Sequence, residues 1–596
     1  MKRTWSLLAL ALLSVPVSAA AADTTVQPLA LPELAAETVS LPPMRLAESL
    51  SVEPVASLRR AAEGAVDRIE ALKAHNASGA RPVRTGFSRP LTEPLRMRLD
   101  ASAAGTPGFR RLDGGWFAES MAGALVWGTH VRVEGAWRVR LHLERLDLPA
   151  GTRLWVWGLG GQPRAFGLEL LGPDGGLWTP SVRGEDVFLE IELPSGSERS
   201  ALEIREVGEI FRLGSGGAPA LDGPVFEPLG ECIRDASCTN SSTFGYIAEA
   251  RKAVAHLEFF SGGDSYVCSG GLLNDSVPGT AVPYLLTANH CFSSQGDTSS
   301  LEAFWDYRTA SCNGAFPDLD ALPRSNGGTL LATAESSDFT FVRLNSIPGG
   351  RVLLGWTTGT QGNGTVLHRV SHPAPDFDAF PQSYSQTVVS TSVSTCSGSP
   401  RPRYLYARPS LGGTFGGSSG SPVMTGDGLV VGQLTGGCGP DAEDGCNHDN
   451  SELDGAFAST YPAIAGFLSP AVTGPCTPGA ETLCIDDQAG DRRFRIQVAF
   501  SSAQQSGNGK AVPLSSLGVN SGGLFWFFGA SNPELLVKVI NGCGLNKKYW
   551  VFWSAGTNVG LTLTVTDTVT GSSRTYTNPN GKAAAPVQDT SALPCS

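Results

Sequence analysis

The sequence predicts a mainly β chain of several domains, and three observations carry that prediction. Apolar and polar residues alternate with period two over 138–144, 187–193 and 561–566, the pattern of strands with one buried face. Turn signals such as Gly114-Gly115, Pro149-Ala150-Gly151 and Pro173-Asp174-Gly175 separate the runs. The 596 residues exceed what one hydrophobic core serves, so three or four domains are expected.

In chain order, Lys2 and Arg3 precede the apolar run 7–15 and the small residues Ser18-Ala19-Ala20-Ala21-Ala22. That is the layout of an export signal over 1–22, cut between Ala20 and Asp23, with a run too short to span a bilayer. Residues 23 to about 54 are rich in Ala, Leu and Pro without a period, and are expected to be extended or disordered. A packing helix is expected after Ser57 as N-cap, with Leu58, Ala62, Val66, Ile69 and Leu72 on one face. Residues 23–90 are thus an extended segment and a helix, and 91–213 a β-rich unit resembling a sandwich. Within that unit Val139, Leu141 and Leu143 alternate with Arg138, Arg140, His142 and Glu144. Its place between an export signal and the cysteine-bearing part reads as a proregion, a folding template or inhibitor, the alternative being a permanent binding domain. A linker comes next over 214–230, opening with Gly214-Ser215-Gly216-Gly217-Ala218-Pro219 after the basic Arg212. Proteolytic processing is expected in 212–230. Residues 231–470 form the next domain, 471–485 a Pro/Gly-containing linker, and 486–596 a C-terminal β-sandwich-like domain. Its aromatic runs at 524–528 and 549–553 read as core packing ahead of a carbohydrate-binding face.

The formal charge of −12 argues against nucleic acid or an anionic membrane as partner. Twelve cysteines, an even number with none before Cys232, fit an oxidising, extracellular destination. No CxxC occurs and the histidines are not at ligand spacing, so neither a metal nor a cofactor is expected.

Residues that could carry chemistry are concentrated in three stretches. Gly416-Gly417-Ser418-Ser419-Gly420-Ser421-Pro422 sets one serine among glycines, which allow a tight turn exposing its hydroxyl. The Gly417 and Ser419 N–H groups could converge there as an oxyanion hole. Tyr284-Leu285-Leu286-Thr287-Ala288-Asn289-His290-Cys291 is an apolar run ending at a histidine. Ser336-Ser337-Asp338-Phe339-Thr340-Phe341 opens an alternating strand with an aspartate. Each alone has a plainer reading: a Gly/Ser linker, a structural histidine, a strand-end cap. Together His290, Asp338 and Ser419 stand in the His-Asp-Ser order of chymotrypsin, distinct from subtilisins and α/β-hydrolases. A serine esterase is disfavoured by the same order and by the cysteine placement.

At these boxes, from about Cys232 to the Tyr461 region, the sequence resembles the bacterial trypsin-like serine peptidases, most closely the lysyl endopeptidase group. The resemblance implies a chymotrypsin-like double β-barrel and a serine endopeptidase acting on proteins or peptides. Ser419 would be the nucleophile, His290 the base and then acid, and Asp338 the group orienting the imidazole. It implies the disulfides Cys232–Cys446, Cys238–Cys312 and Cys268–Cys291. The remaining pairs expected are Cys396–Cys438, Cys476–Cys484 and Cys543–Cys595. Ser418 stands where vertebrate relatives have the aspartate that pairs with a new N-terminus, so activation is expected by release of the proregion, the partner bound before processing. The trypsin-type pocket acid would fall at Gly413. In lysyl endopeptidases the acid comes later, in a segment resembling 451–457, where Glu452 or Asp454 could select Lys or Arg. Thr435, where that group often has histidine, and Gly436 fall in 428–437, which resembles the strand lining the specificity pocket. A monomer is expected. The rival reading is a binding or adhesion protein on a trypsin-like scaffold with little catalysis.

Overall fold

In the computed structural model of this chain, the N-terminal alternating runs become two facing sheets. The structure describes residues 23–595 except 34–42, 60–64, 100–108, 113, 121–122, 174, 198, 212–231, 278–280, 374–379, 443, 470–474, 489, 503–504 and 570–571. The expected export signal and the expected processing region after Arg212 lie outside the described residues. In one sheet Asp186–Leu193 lies between Arg153–Gly158 and Leu125–Val133. In the other, Ser200–Ile210 lies between Arg138–Asp147 and the long strand Val83–Leu99. Trp127, Val139, Leu141, Val187, Leu189 and Val207 are buried in the core between them.

Two expectations for the first ninety residues need correction. Ser57 is no helix cap: Ala56–Leu58 is a strand paired in parallel with Val131–Val133, so a remote strand takes the hydrogen bonds that a helix start would leave open. The described helix is Ala65–Ala77, with Ile69 and Leu72 buried and Val66 52% exposed. Segment 23–54 also holds regular structure. Thr25–Val26 pairs with Trp356–Thr357, Leu29–Ala30 pairs with Val352–Leu353, and Leu46–Ser49 is a short helix. Such two-residue strands take their partners from a distant sheet, which leaves no local period to read.

The middle of the chain is the mainly β double barrel. Six strands of its second half close on themselves: Val366–Ser371, Ser383–Val389, Tyr404–Leu411, Ser451–Ala456, Val430–Cys438 and Pro422–Thr425. The first half is built on Val254–Ser261, Asp264–Leu273, Tyr284–Thr287, Phe339–Leu344 and Gly328–Ala334. Disulfides join Cys232–Cys446, Cys238–Cys312, Cys268–Cys291, Cys396–Cys438, Cys476–Cys484 and Cys543–Cys595.

The N-terminal unit and the first barrel share one sheet. The start of Val83–Leu99 pairs antiparallel with Asp264–Leu273, with Val83 opposite Val267 and Arg84 opposite Tyr266. Beside this seam the polar face of Arg138–Asp147 is covered instead of wet. Arg138 and Arg140 are each 1% exposed. Arg138 reaches Glu258 at 2.8 Å and Glu302 at 3.4 Å, and Arg324 reaches Glu302 at 2.9 Å. Burial alone would raise the Glu302 carboxyl, but Arg324, Arg140 and Arg138 outweigh it and hold its pKa at about 2.

The C-terminal unit is two five-stranded sheets around one core. Phe525, Phe527, Tyr549 and Trp553 fill that core, while Phe528 is 39% exposed. No helix among the described residues is long and apolar enough to cross a membrane.

Candidate active site

Strand pairing explains why His290 and Asp338 meet although 48 residues separate them. Tyr284–Thr287 pairs antiparallel with Thr340–Arg343, so the end of the first strand lies beside the start of the second. His290 comes just after the one and Asp338 just before the other. Asp338 Oδ2 is 2.8 Å from His290 Nδ1, and Asp338 Oδ1 accepts the His290 backbone N–H at 2.9 Å. Both carboxylate oxygens are engaged, which fixes the ring and its tautomer: Nδ1 carries the proton and donates, leaving Nε2 as the basic atom. Asp338 adopts a left-handed backbone at φ 49°, which aspartate tolerates better than most residues. Its carbonyl accepts from Asn289 N at 3.1 Å and from Gln433 Nε2 at 3.1 Å.

Ser419 is tied to the same place from the second barrel. Its carbonyl accepts from Ser269 N at 2.8 Å, and Ser269 Oγ donates to the Gly417 carbonyl at 2.9 Å. Gly417 and Gly420 have φ of 92° and 79°. A Cβ on Gly420 would stand 2.2 Å from Thr287 Oγ1, so only glycine lets the loop close against the strand that delivers His290. Ser419 is 1% exposed, and His290 Nε2 is buried without a hydrogen-bond partner. Ser418 is fully buried, accepting from Ser371 Oγ at 3.1 Å, so a neutral hydroxyl network fills that site.

A small cavity near this loop is lined in part by Thr414, Gly436, Gly445, Asn450 and Glu452. Gly413 can carry no side chain, because a Cβ there would meet the Gly445 carbonyl oxygen at 2.2 Å. Glu452 is 4% exposed; Oε2 accepts from Thr414 Oγ1 at 3.0 Å and Oε1 from Arg369 Nη2 at 2.8 Å. Asp454 lies behind the cavity, wholly buried and 2.6 Å from Arg369 Nη2. Burial pushes the Asp454 carboxyl up to about 6, with Arg369 opposing and Glu452 reinforcing the rise. Gly436 lines the cavity, whereas Thr435 Oγ1 is buried and unbonded beside it. Sequence reasoning missed Arg369, Thr414, Ser269 and Gln433. No motif marks a buried arginine whose partners lie more than eighty residues away.

Residues 226–452 match the family model described as "Lysyl endopeptidase, C-terminal domain". The lysyl endopeptidase of Pseudomonas aeruginosa is 27% identical over 346 residues, 56% of this chain and 72% of that one. Among solved structures, the active form of the Rv3671c protease from M. tuberculosis covers 40% of this chain and 92% of its own, at 15% identity and a TM-score of 0.27. An inactive form of it covers 41% of this chain and 100% of its own, at 13% identity and a TM-score of 0.26. Family model and curated relative together support a lysyl endopeptidase-like serine peptidase.

Proposed function

We propose that the chain is an exported precursor of an endopeptidase that cuts after Lys or Arg through an acyl-enzyme. Ser419 is the nucleophile, too weak alone and therefore dependent on a base. His290 Nε2 takes its proton and returns it to the leaving amine, while Asp338 holds the tautomer and stabilises the imidazolium. The Gly417 and Ser419 N–H groups receive the oxyanion. The N-terminal unit is the proregion, held on the peptidase until processing. The observation that carries this reading is the two-point grip of Asp338 on His290 beside a glycine-flanked serine.

Electrostatics supports a basic specificity. One guanidinium, Arg369, sits between two carboxylates, so the group has one net negative charge at neutral pH. Glu452 presents that charge to the cavity, where a substrate cation would be desolvated and paired. Digestion of an unbiased peptide mixture by the processed protein, with cleavage sites read by mass spectrometry, tests the proposal. Cleavage after Lys or Arg that vanishes in Ser419→Ala supports it; serine-dependent cleavage elsewhere discards Glu452 as selector. Protein free of its proregion that cuts nothing returns the chain to the binding-protein reading.

Glu452→Gln is expected to lower kcat/KM for basic substrates by about 2–5 kcal/mol, roughly thirty- to several-thousand-fold, and to spare neutral ones. An equal loss on both classes would remove the ion-pair account. Because the Asp454 pKa is raised to about 6, the group behind the cavity becomes neutral as pH falls through that value. The ratio of kcat/KM for a basic to a neutral substrate should therefore fall between pH 7 and 5. Taking the ratio cancels any pH effect common to both substrates. A flat ratio would show that Asp454 does not govern the pocket's charge.

A further inference from the structure

Taking the proposed peptidase and proregion as given, we infer that Arg81-Pro82-Val83 is a built-in, substrate-like inhibitor that lies along the catalytic cleft with Arg81 at the specificity cavity. Arg81, from the N-terminal unit, stands in the cavity wall with Thr414, Gly436 and Glu452 of the peptidase. Arg81 is exposed as a residue, and desolvation lowers the pKa of its guanidinium. Two residues on, Val83 pairs with Val267, the neighbour of the Cys268 that is disulfide-bonded to Cys291 beside His290. Val83 also covers the serine loop: a Cβ added to Gly416 would meet Val83 Cγ2 at 2.5 Å. A residue held in the specificity cavity presents its carbonyl carbon to the serine, and the residues after it, here Pro82 to Arg84, belong to the leaving amine.

The segment is held rather than draped. Asn76 on the Ala65–Ala77 helix donates to the Arg84 carbonyl and accepts from the Arg84 N–H, both at 2.9 Å, and His75 Nε2 lies 2.9 Å from the Pro82 carbonyl oxygen. Asp264 of the peptidase meets Arg68 at 3.1 Å and Arg84 at 3.3 Å. Ile69, Leu72, Val83 and Phe87 share one buried cluster with Val267. A segment preorganised in this way loses little entropy on occupying the cleft. Pro82 suits the role of an uncut bond: its nitrogen is closed into a ring and carries no N–H, so the leaving group differs from every ordinary amide. The buried Ser419 and the unbonded His290 Nε2 accord with a covered site.

Two variants of the full-length chain test this. Pro82→Ala replaces the ring with an ordinary amide, and the expected result is a new N-terminus at position 82, found by N-terminal sequencing and absent when Ser419→Ala is added. Arg81→Ala removes the side chain at the cavity. The intact band should then take up a fluorophosphonate probe about ten-fold faster or more than the intact parent chain. If processed parent protein reacts with the probe but neither variant changes anything, the inhibitor role is overturned and the peptidase stands. If processed parent protein does not react at all, the peptidase reading falls and this one with it. A Pro82→Ala chain that fails to fold leaves the decision to Arg81→Ala, where an unchanged labelling rate overturns the proposal.

Discussion

Ser419→Ala is expected to lower kcat of the processed peptidase by about 10⁵–10⁶-fold, the scale on which a triad nucleophile counts. His290→Ala should cost about as much and the double variant little more, because nucleophile and base act as one device. Asp338→Asn is the more informative change. Asp338 accepts both the imidazole Nδ1–H and the His290 backbone N–H, so an amide of the same shape can still accept only through its one oxygen. Whichever contact the amide NH₂ then faces is lost or reversed, and a ring forced to accept at Nδ1 carries its proton on Nε2, where the base is needed. A loss of about 10⁴-fold is expected, as for the equivalent change in a Ser-His-Asp triad. Steady-state hydrolysis of a small ester and a peptide by the processed proteins measures all four variants. More than about 1% residual activity in Ser419→Ala would displace Ser419 from the nucleophile's role.

Arg138→Ala is expected to be the most destabilising change at the seam between the N-terminal unit and the peptidase. Arg138 comes from the N-terminal unit and both of its carboxylate partners come from the peptidase, all of them at most 5% exposed in their side chains. Removing it leaves Glu258 with less compensation and Glu302 dependent on Arg324 and Arg140, a loss of about 3–5 kcal/mol for a broken buried pair. The melting transition containing this seam should fall by on the order of 10 °C, measured by calorimetry in a Ser419→Ala background that cannot digest itself. A shift under about 2 °C would show that water replaces the arginine without penalty. Acid should act on the same seam. The Glu302 pKa of about 2 is depressed from 4.5, so its contribution is complete above about pH 5 and is lost as pH falls from 4.5 towards 2. That depression corresponds to about 3 kcal/mol. Glu302→Gln should remove that part of the acid sensitivity, and an unchanged pH–stability curve would assign it to other carboxylates.

Much of this architecture is legible in the sequence because it is local. Period-two runs such as 187–193 and 561–566 report strands wherever one face meets a core. The stretches around His290, Asp338 and Ser419 mark themselves by residue type, since each chemistry needs a strand end or a glycine turn at that point. The two-residue strands at 25–26 and 29–30 are not legible, nor is the change at Ser57 from helix cap to parallel strand, because a distant sheet supplies their partners.

By itself, then, the sequence determined the strand-rich runs and marked a histidine, an aspartate and a serine in a telling order, while resemblance suggested three disulfides and the cysteines left over the other three. Only the tertiary structure decided what the polar faces touch. Alternation at 138–144 says that Arg138 and Arg140 leave their own core, but it cannot tell water from a second domain bearing Glu258 and Glu302. Nor does any local pattern bring Arg369 between Glu452 and Asp454, or Arg81 to the cavity that Glu452 lines. Periodicity records whether a side chain is apolar, a property of one residue; charge pairing across a seam is a property of two surfaces that meet only when the chain has folded.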